Sequence, residues 1–204
     1  MKSTYYPYNP EDQRIKSDVK GIKPPRAFIA LVTILAALAT VADDDGILAA
    51  VTDDGTVQEI LTGITNPGVA KNITATAGGI AADIKAVQVM LEGTNLAGEV
   101  IQETLPAFTV NTAGTVTGSK AFKTVTKITI PAHDGTGATT KIGFGEKLGL
   151  PYKLTRNTVL ATYKDNTLET TAPTVTVSAT ALESNTIDLN SVLNSKQVDV
   201  YLLI

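Results

Sequence analysis

The sequence predicts a mainly β fold, an antiparallel β-sandwich or barrel-like domain carrying an extended N-terminal arm. Three observations predict it. The chain holds 31 threonines among 204 residues, with many valines and isoleucines, and such β-branched side chains are stiff at χ1 and pack well on a pleated surface. Its 16 glycines and nine prolines fall mostly between the apolar runs, where they supply turns. Residues 1–26 contain Pro7, Pro10, Pro24 and Pro25 and show no helical or strand period, so that segment is expected to lie extended on another surface.

Taken in order, the arm comes first. It carries Lys2, Arg14, Lys16, Lys20, Lys23 and Arg26 against Glu11, Asp12 and Asp18, a charge of +3 that leaves −6 for the rest of the chain. A basic arm therefore precedes an acidic body. Tyrosine offers a large contact area with few rotatable bonds, so Tyr5, Tyr6, Tyr8, Arg14, Lys16, Lys20, Lys23 and Arg26 are the candidate partner-binding residues. Residues 27–204 are expected to form a single β-rich structural domain, with 27–55 its least patterned part. The apolar run from Ala27 to Ala42 follows a basic region, as a membrane anchor would, but it falls short of the ~20 apolar residues that a spanning helix needs. A buried strand over Phe28 to Leu35, then an Ala-rich turn or short helix, is the expectation, with no membrane partner.

Asp43-Asp44-Asp45-Gly46 and Asp53-Asp54-Gly55 both end in an Asp-Gly step and predict solvated turns around Ile47 to Val51. The contiguous acids do not fit the alternating calcium-loop pattern, so no metal is expected there. Strands follow over Val57 to Leu61, Lys71 to Thr76, Ile84 to Leu91, Glu99 to Leu105, Ala121 to Ile130, Thr139 to Phe144, Lys153 to Tyr163, Thr174 to Ser178 and Val198 to Leu203. Gly93 to Gly98 joins two of these runs as a hairpin over residues 84–105. A second hairpin is expected between Ala121 to Ile130 and Thr139 to Phe144, across the Pro131 to Gly137 loop. Leu189, Val192 and Leu193 have the one-sided spacing of a short helix before the last strand.

Catalysis has few available groups. There is no cysteine and a single histidine, His133, so a thiolate metal centre is excluded and a histidine site would need scattered carboxylates. His133, Asp134 and Ser119 compose a nucleophilic triad only on paper, because no G-x-S-x-G elbow is present. In a turn-rich loop, His133 is expected to be dispensable. Gly143-Phe-Gly-Glu-Lys-Leu-Gly149 misses the spacing of a phosphate-binding loop and is expected to supply turns. Glu99 and Glu103 lie four residues apart on a strand, about 13 Å at ~3.3 Å per residue, too far for paired acid chemistry, and are expected to be exposed polar positions. With a net charge of −3 and no basic run, direct nucleic-acid binding has no evident source. No enzyme activity and no cofactor are expected.

The stretches Asn72-Ile-Thr-Ala-Thr-Ala-Gly-Gly79, Gly93-Thr-Asn-Leu-Ala-Gly-Glu-Val-Ile-Gln-Glu-Thr-Leu105 and Gly118-Ser-Lys-Ala-Phe-Lys-Thr-Val-Thr-Lys-Ile128 resemble the strand-and-turn texture of tailed-phage and prophage virion structural proteins. The likeness continues through Gly143 to Pro151 and Asp188-Leu-Asn190 to Val198-Asp-Val-Tyr201, covering roughly residues 60–204. It implies a head decoration (auxiliary capsid) protein: a homo-oligomer partnered by the phage major capsid protein or other virion proteins. Such a protein would be assembled in the host cytoplasm and located on the capsid exterior. The same texture fits tail, baseplate and head-tail connector components. A bacterial cell-surface Ig-like adhesion module is the alternative from another class.

Overall fold

The computed structural model describes Val19 and residues 27–204; the predicted arm and its eight candidate binding residues lie outside the described residues. The fold is mainly β and every strand pairing in it is antiparallel.

In chain order the strands are β1 (Ile29–Ile34), β2 (Asp43–Thr52), β3 (Gln58–Ile60), β4 (Lys71–Gly79), β5 (Met90–Thr94), β6 (Val100–Thr104) and β7 (Gly114–Phe122). They continue as β8 (Thr124–Ile130), β9 (Ala138–Gly149), β10 (Val159–Lys164), β11 (Thr167–Leu168), β12 (Thr174–Thr176), β13 (Thr186–Asp188) and β14 (Val198–Leu203). Three sheets result. Sheet A has the order β1-β14-β10-β11, sheet B runs β12-β13-β9-β4-β7 with β2 also paired to β9, and sheet C runs β3-β8-β5-β6.

Sheet B contributes to two hydrophobic cores. The first packs Ile73, Ala75 and Ile142 of sheet B against Leu91, Val125 and Ile128 of sheet C; Ile73 and Ala75 alternate as the period of two requires, while a register shift in the β5–β8 ladder lets Val125 and Ile128 both turn inward. The second packs Leu148 and Ile187 of sheet B against Ile34, Val198, Val200 and Leu202 of sheet A. Strand β9 feeds both, Ile142 entering the first and Leu148 the second.

The hairpin over residues 84–105 forms between β5 and β6, although Ile84 to Val89 run extended without a ladder and the first strand begins only at Met90. Other expectations are corrected. The Asp43 to Gly46 stretch is strand, the bulged start of β2, and not a turn. The β1 region is not a strand buried on both faces: it edges sheet A, and Phe28, Ile29, Leu31 and Leu35 face out. The second hairpin does not form, because β8 pairs with β5 and β3 while β9 pairs with β2, β4 and β13. The loop between β8 and β9 instead carries the chain from sheet C to sheet B. Of Lys153 to Tyr163 only Val159 onward is strand.

No helix covers residues 188–194. Leu189 and Leu193 are buried from an irregular segment pinned by Leu193 N–H to Glu146 Oε2 at 3.3 Å and by Ser191 Oγ to Glu169 Oε2 at 2.7 Å. Gly143, Gly145 and Gly149 are strand residues of β9 and not turn residues. A Cβ on Gly143 would lie 1.9 Å from the Asp43 carbonyl oxygen of β2, and one on Gly145 would lie 2.6 Å from Asn72 Oδ1.

Candidate functional site

The described residues contain two polar constellations and one apolar surface on which function could rest. The first constellation is built around His133. Contrary to the expectation of a dispensable loop residue, its side chain is only 6% exposed. The Lys85 amide donates to His133 Nδ1 at 3.2 Å, which leaves the ring proton on Nε2, 3.1 Å from Thr140 Oγ1. The His133 amide donates to Asp53 Oδ1 at 3.0 Å, and the Phe108 ring stands 5.9 Å away. Asp53, expected in a solvated turn, is itself buried, while Asp83 Oδ2 accepts the Gly137 amide at 2.9 Å. Burial pushes the imidazole pKa down against the opposing charges of Asp53 and Asp134.

This arrangement clamps the β8–β9 loop and does not assemble a proton relay. The Asp134 carboxylate pairs with Lys85 at 3.1 Å, and the Ser119 hydroxyl donates to Glu103 Oε1 at 2.9 Å, so the paper triad is not brought together. Glu103 is not a free surface carboxylate either: it also accepts the Ser119 amide at 2.7 Å, linking β6 to β7. Glu99 Oε2 accepts from Asn95 Nδ2 at 2.8 Å across the β5–β6 turn.

The second constellation centres on Lys71, 1% exposed at the start of β4. Its ammonium donates to the Thr40 carbonyl and to Thr40 Oγ1, and lies 4.6 Å from the centre of the Phe144 ring. Burial lowers its pKa to about 8, with Glu146 opposing the shift. Nearby, the exposed carboxylates of Asp43, Asp44 and Asp45 converge within 4.8 Å of one another, close enough to hold a cation. Asp45 is raised above its ordinary range by its hydrogen bond to Asp43 and by the Asp43 charge, and Asp44 is already paired with Lys141.

The apolar surface is the outer face of sheet A. Strand register lays Leu31, Tyr201 and Ala161 in one row, Ile29 and Leu203 in a second, and Thr33, Asp199, Tyr163 and Leu168 in a third. All of these point away from the second core, since their neighbours Val32, Val198, Val200 and Leu202 point into it. Ile29 remains 66% exposed and Leu31 52%, with Phe28 and Leu35 similarly open at either end of β1. The Tyr163 and Tyr201 rings pack edge to face at 5.7 Å, so the aromatic part of the face is pre-arranged. Beside it a cleft of about 300 Å³ opens at the β10–β11 edge, lined by Val159, Leu160, Thr162, Leu168, Pro173 and Val175.

Period-two alternation of apolar residues placed these strands in the sequence but did not signal a second apolar face on sheet A, because a strand apolar on both faces has the pattern of a fully buried one. No helix among the described residues is long and apolar enough to cross a membrane. No protein-family model, curated protein or solved structure matches the chain.

Proposed function

We propose that the chain is a non-enzymatic structural protein of a phage particle, bound to the outside of the capsid lattice as a decoration or cement protein. The observation that carries an assembly role is the outer face of sheet A, where Ile29, Leu31 and Leu168 are each more than half exposed on one side of one sheet. Contiguous exposed apolar surface of this kind marks protein contact sites. The resemblance of residues 60–204 to virion proteins supplies the setting. In this reading the basic arm is a tether onto the particle, with Tyr5, Tyr6, Tyr8 and the arm's lysines and arginines as its contact residues.

Co-sedimentation with purified capsids, compared with purified tails, tests the reading. The full chain should pellet with capsids, and deletion of residues 1–26 should weaken that binding, with the remaining salt dependence reduced because the arm's charges are gone. Pelleting with tails alone would move the protein to a tail, baseplate or connector position, and binding to neither particle would remove the virion role.

A further inference from the structure

We propose that β1 is a self-association edge: two copies join β1 to β1, antiparallel, about a two-fold axis at Leu31, so that two copies of sheet A become one continuous sheet.

The backbone geometry comes first. Phe28 and Ile204 exchange both of their amide hydrogen bonds, at 3.0 and 2.9 Å. In an antiparallel ladder bonded and non-bonded pairs alternate, so Ala30, Val32 and Ile34 also bond to β14. Ile29, Leu31 and Thr33 therefore aim their N–H and C=O groups away from it. Among the described residues those outward groups meet no partner. The ladder runs without a register shift from Ile29 to Ile34, so the edge is regular along its length.

Exposed edges are ordinarily blunted by charge, proline, bulges or shortness, and the other edges of this molecule are. The outer strand β2 carries three aspartates and two register breaks, while β3, β11 and β12 have three, two and three residues. On β6, Gln102 and Glu103 are tied to Lys120 and Ser119. The remaining outer strand, β7, carries Lys120 and a register break against β4, so among the described strands only β1 has none of these devices: residues 27–42 contain no charged side chain and no proline.

A second copy is the occupant because the edge is self-complementary. Centring the pair on Leu31 sets Ile29 opposite the partner's Thr33, Leu31 opposite the partner's Leu31 and Thr33 opposite the partner's Ile29. All three outward residues of each copy then bond, the largest number any register allows. Opposed residues in an antiparallel pair share a face, so the exposed Ile29 and Leu31 side chains cluster across the axis. Ile29 and Leu31 are 66% and 52% exposed in the single copy, and the joined sheets would cover part of that apolar surface as well as the edge groups. No charge on either edge opposes the approach of two bodies that are each acidic.

The proposal is independent of the particle reading, and purified protein without particles tests it. The chain has no native cysteine, so Leu31→Cys introduces a single thiol. The axis places the two thiols on directly opposed residues about 5.5 Å apart at Cα, within disulfide range. Mild oxidation should give covalent dimers of Leu31→Cys, none of Ile29→Cys alone, and dimers again when Ile29→Cys is mixed with Thr33→Cys.

Thr33→Pro removes one outward N–H while leaving the β1–β14 backbone bonds and the apolar face in place; the Thr33 hydroxyl bond to Asp199 Oδ1 that it also removes is matched by a Thr33→Val control. In sedimentation velocity across a concentration series Thr33→Pro should shift the wild-type dimer toward monomer by at least tenfold in concentration. Leu31→Lys, a change on an exposed side chain, should do the same if the proline variant fails to fold. A wild-type chain that stays monomeric throughout, or self-linking at Ile29→Cys but not at Leu31→Cys, overturns the proposal. So does a Thr33→Pro dimer as tight as wild type, which would mean that the faces stack and the edges do not pair.

Discussion

Protonation of His133 would place an N–H on Nδ1 directly against the Lys85 amide, turning an acceptor into a second donor 3.2 Å away. The folded state therefore favours neutral imidazole, in line with its lowered pKa. Above the ordinary histidine value of about 6.5 both states are neutral and the His133 contribution is fully present. As pH falls below that value the unfolded chain takes up the proton first, and stability is lost until the folded imidazole also titrates. His133→Ala should cost about 1–3 kcal/mol by leaving the Lys85 amide and Thr140 without their partner. It should also flatten the acid side of the stability profile, as checked by urea melts at pH 7 and pH 5.5. Lys71 has the complementary signature. With its pKa lowered to about 8, the unfolded state holds more protons between pH ~8 and the ordinary lysine value of ~10.4, so stability gained from this residue rises across that window. Comparing wild type with Lys71→Met at pH 8 and pH 10 should show the rise only in the wild type. Neither environment was legible in the sequence. A histidine leading into a glycine-rich turn and a lysine heading a strand carry no local mark of burial, because the groups that enclose them, Asp53 and Thr40 among them, come from distant parts of the chain. Asn185 makes the same point: it has the composition of a turn residue, yet its buried amide receives Leu154 N–H and Ser178 N–H and donates to Ser178 and Ala181 carbonyls, joining three loops around the second core.

The strands themselves were largely legible, since apolar alternation and Gly or Pro punctuation act locally. The run Val198 to Leu203 coincides with β14, and Lys71 to Thr76 lies within β4. Pairing was less so. The expected β8–β9 hairpin rests on sequence adjacency, but the loop between them is held by Asp53, Asp83 and His133 in a path that changes sheets. Likewise the glycines of β9 are turn signals by composition, whereas their role is to admit a neighbouring backbone at close range. Gly143→Ala tests that role: its Cβ would overlap the Asp43 carbonyl at 1.9 Å, so β2 must move off β9. The expected loss is more than about 2 kcal/mol, read as a lower denaturant midpoint. An alanine at Gly55, which has no neighbour within 4 Å but a φ of +80°, should cost only about 1 kcal/mol of backbone strain.

Because β9 contributes Ile142 to one core and Leu148 to the other, neither core can open without disturbing a strand that the other needs. The body should therefore unfold in a single transition. Ile142→Ala and Leu148→Ala should each cost about 2–5 kcal/mol and move the whole calorimetric peak; a variant that splits it into two would show separable halves. The antiparallel sheets and mainly β content follow from composition alone, whereas the division into two cores around a shared sheet does not, because it depends on which strand spans both. One consequence concerns force. The first described ladder residues and the last residue meet in the Phe28–Ile204 pair, so tension drawn through the arm across sheet A reaches that corner before anything else. It would peel β1 from β14 one pair at a time, toward Ile34 and Val198, before the longer ladders of sheet B gave way. In an optical trap, pulling between residue 27 and a handle on β4 should therefore release a short, low-force extension before the body yields. The outermost strand would act as a mechanical fuse, giving slack to a strained attachment and re-zipping when the strain is gone.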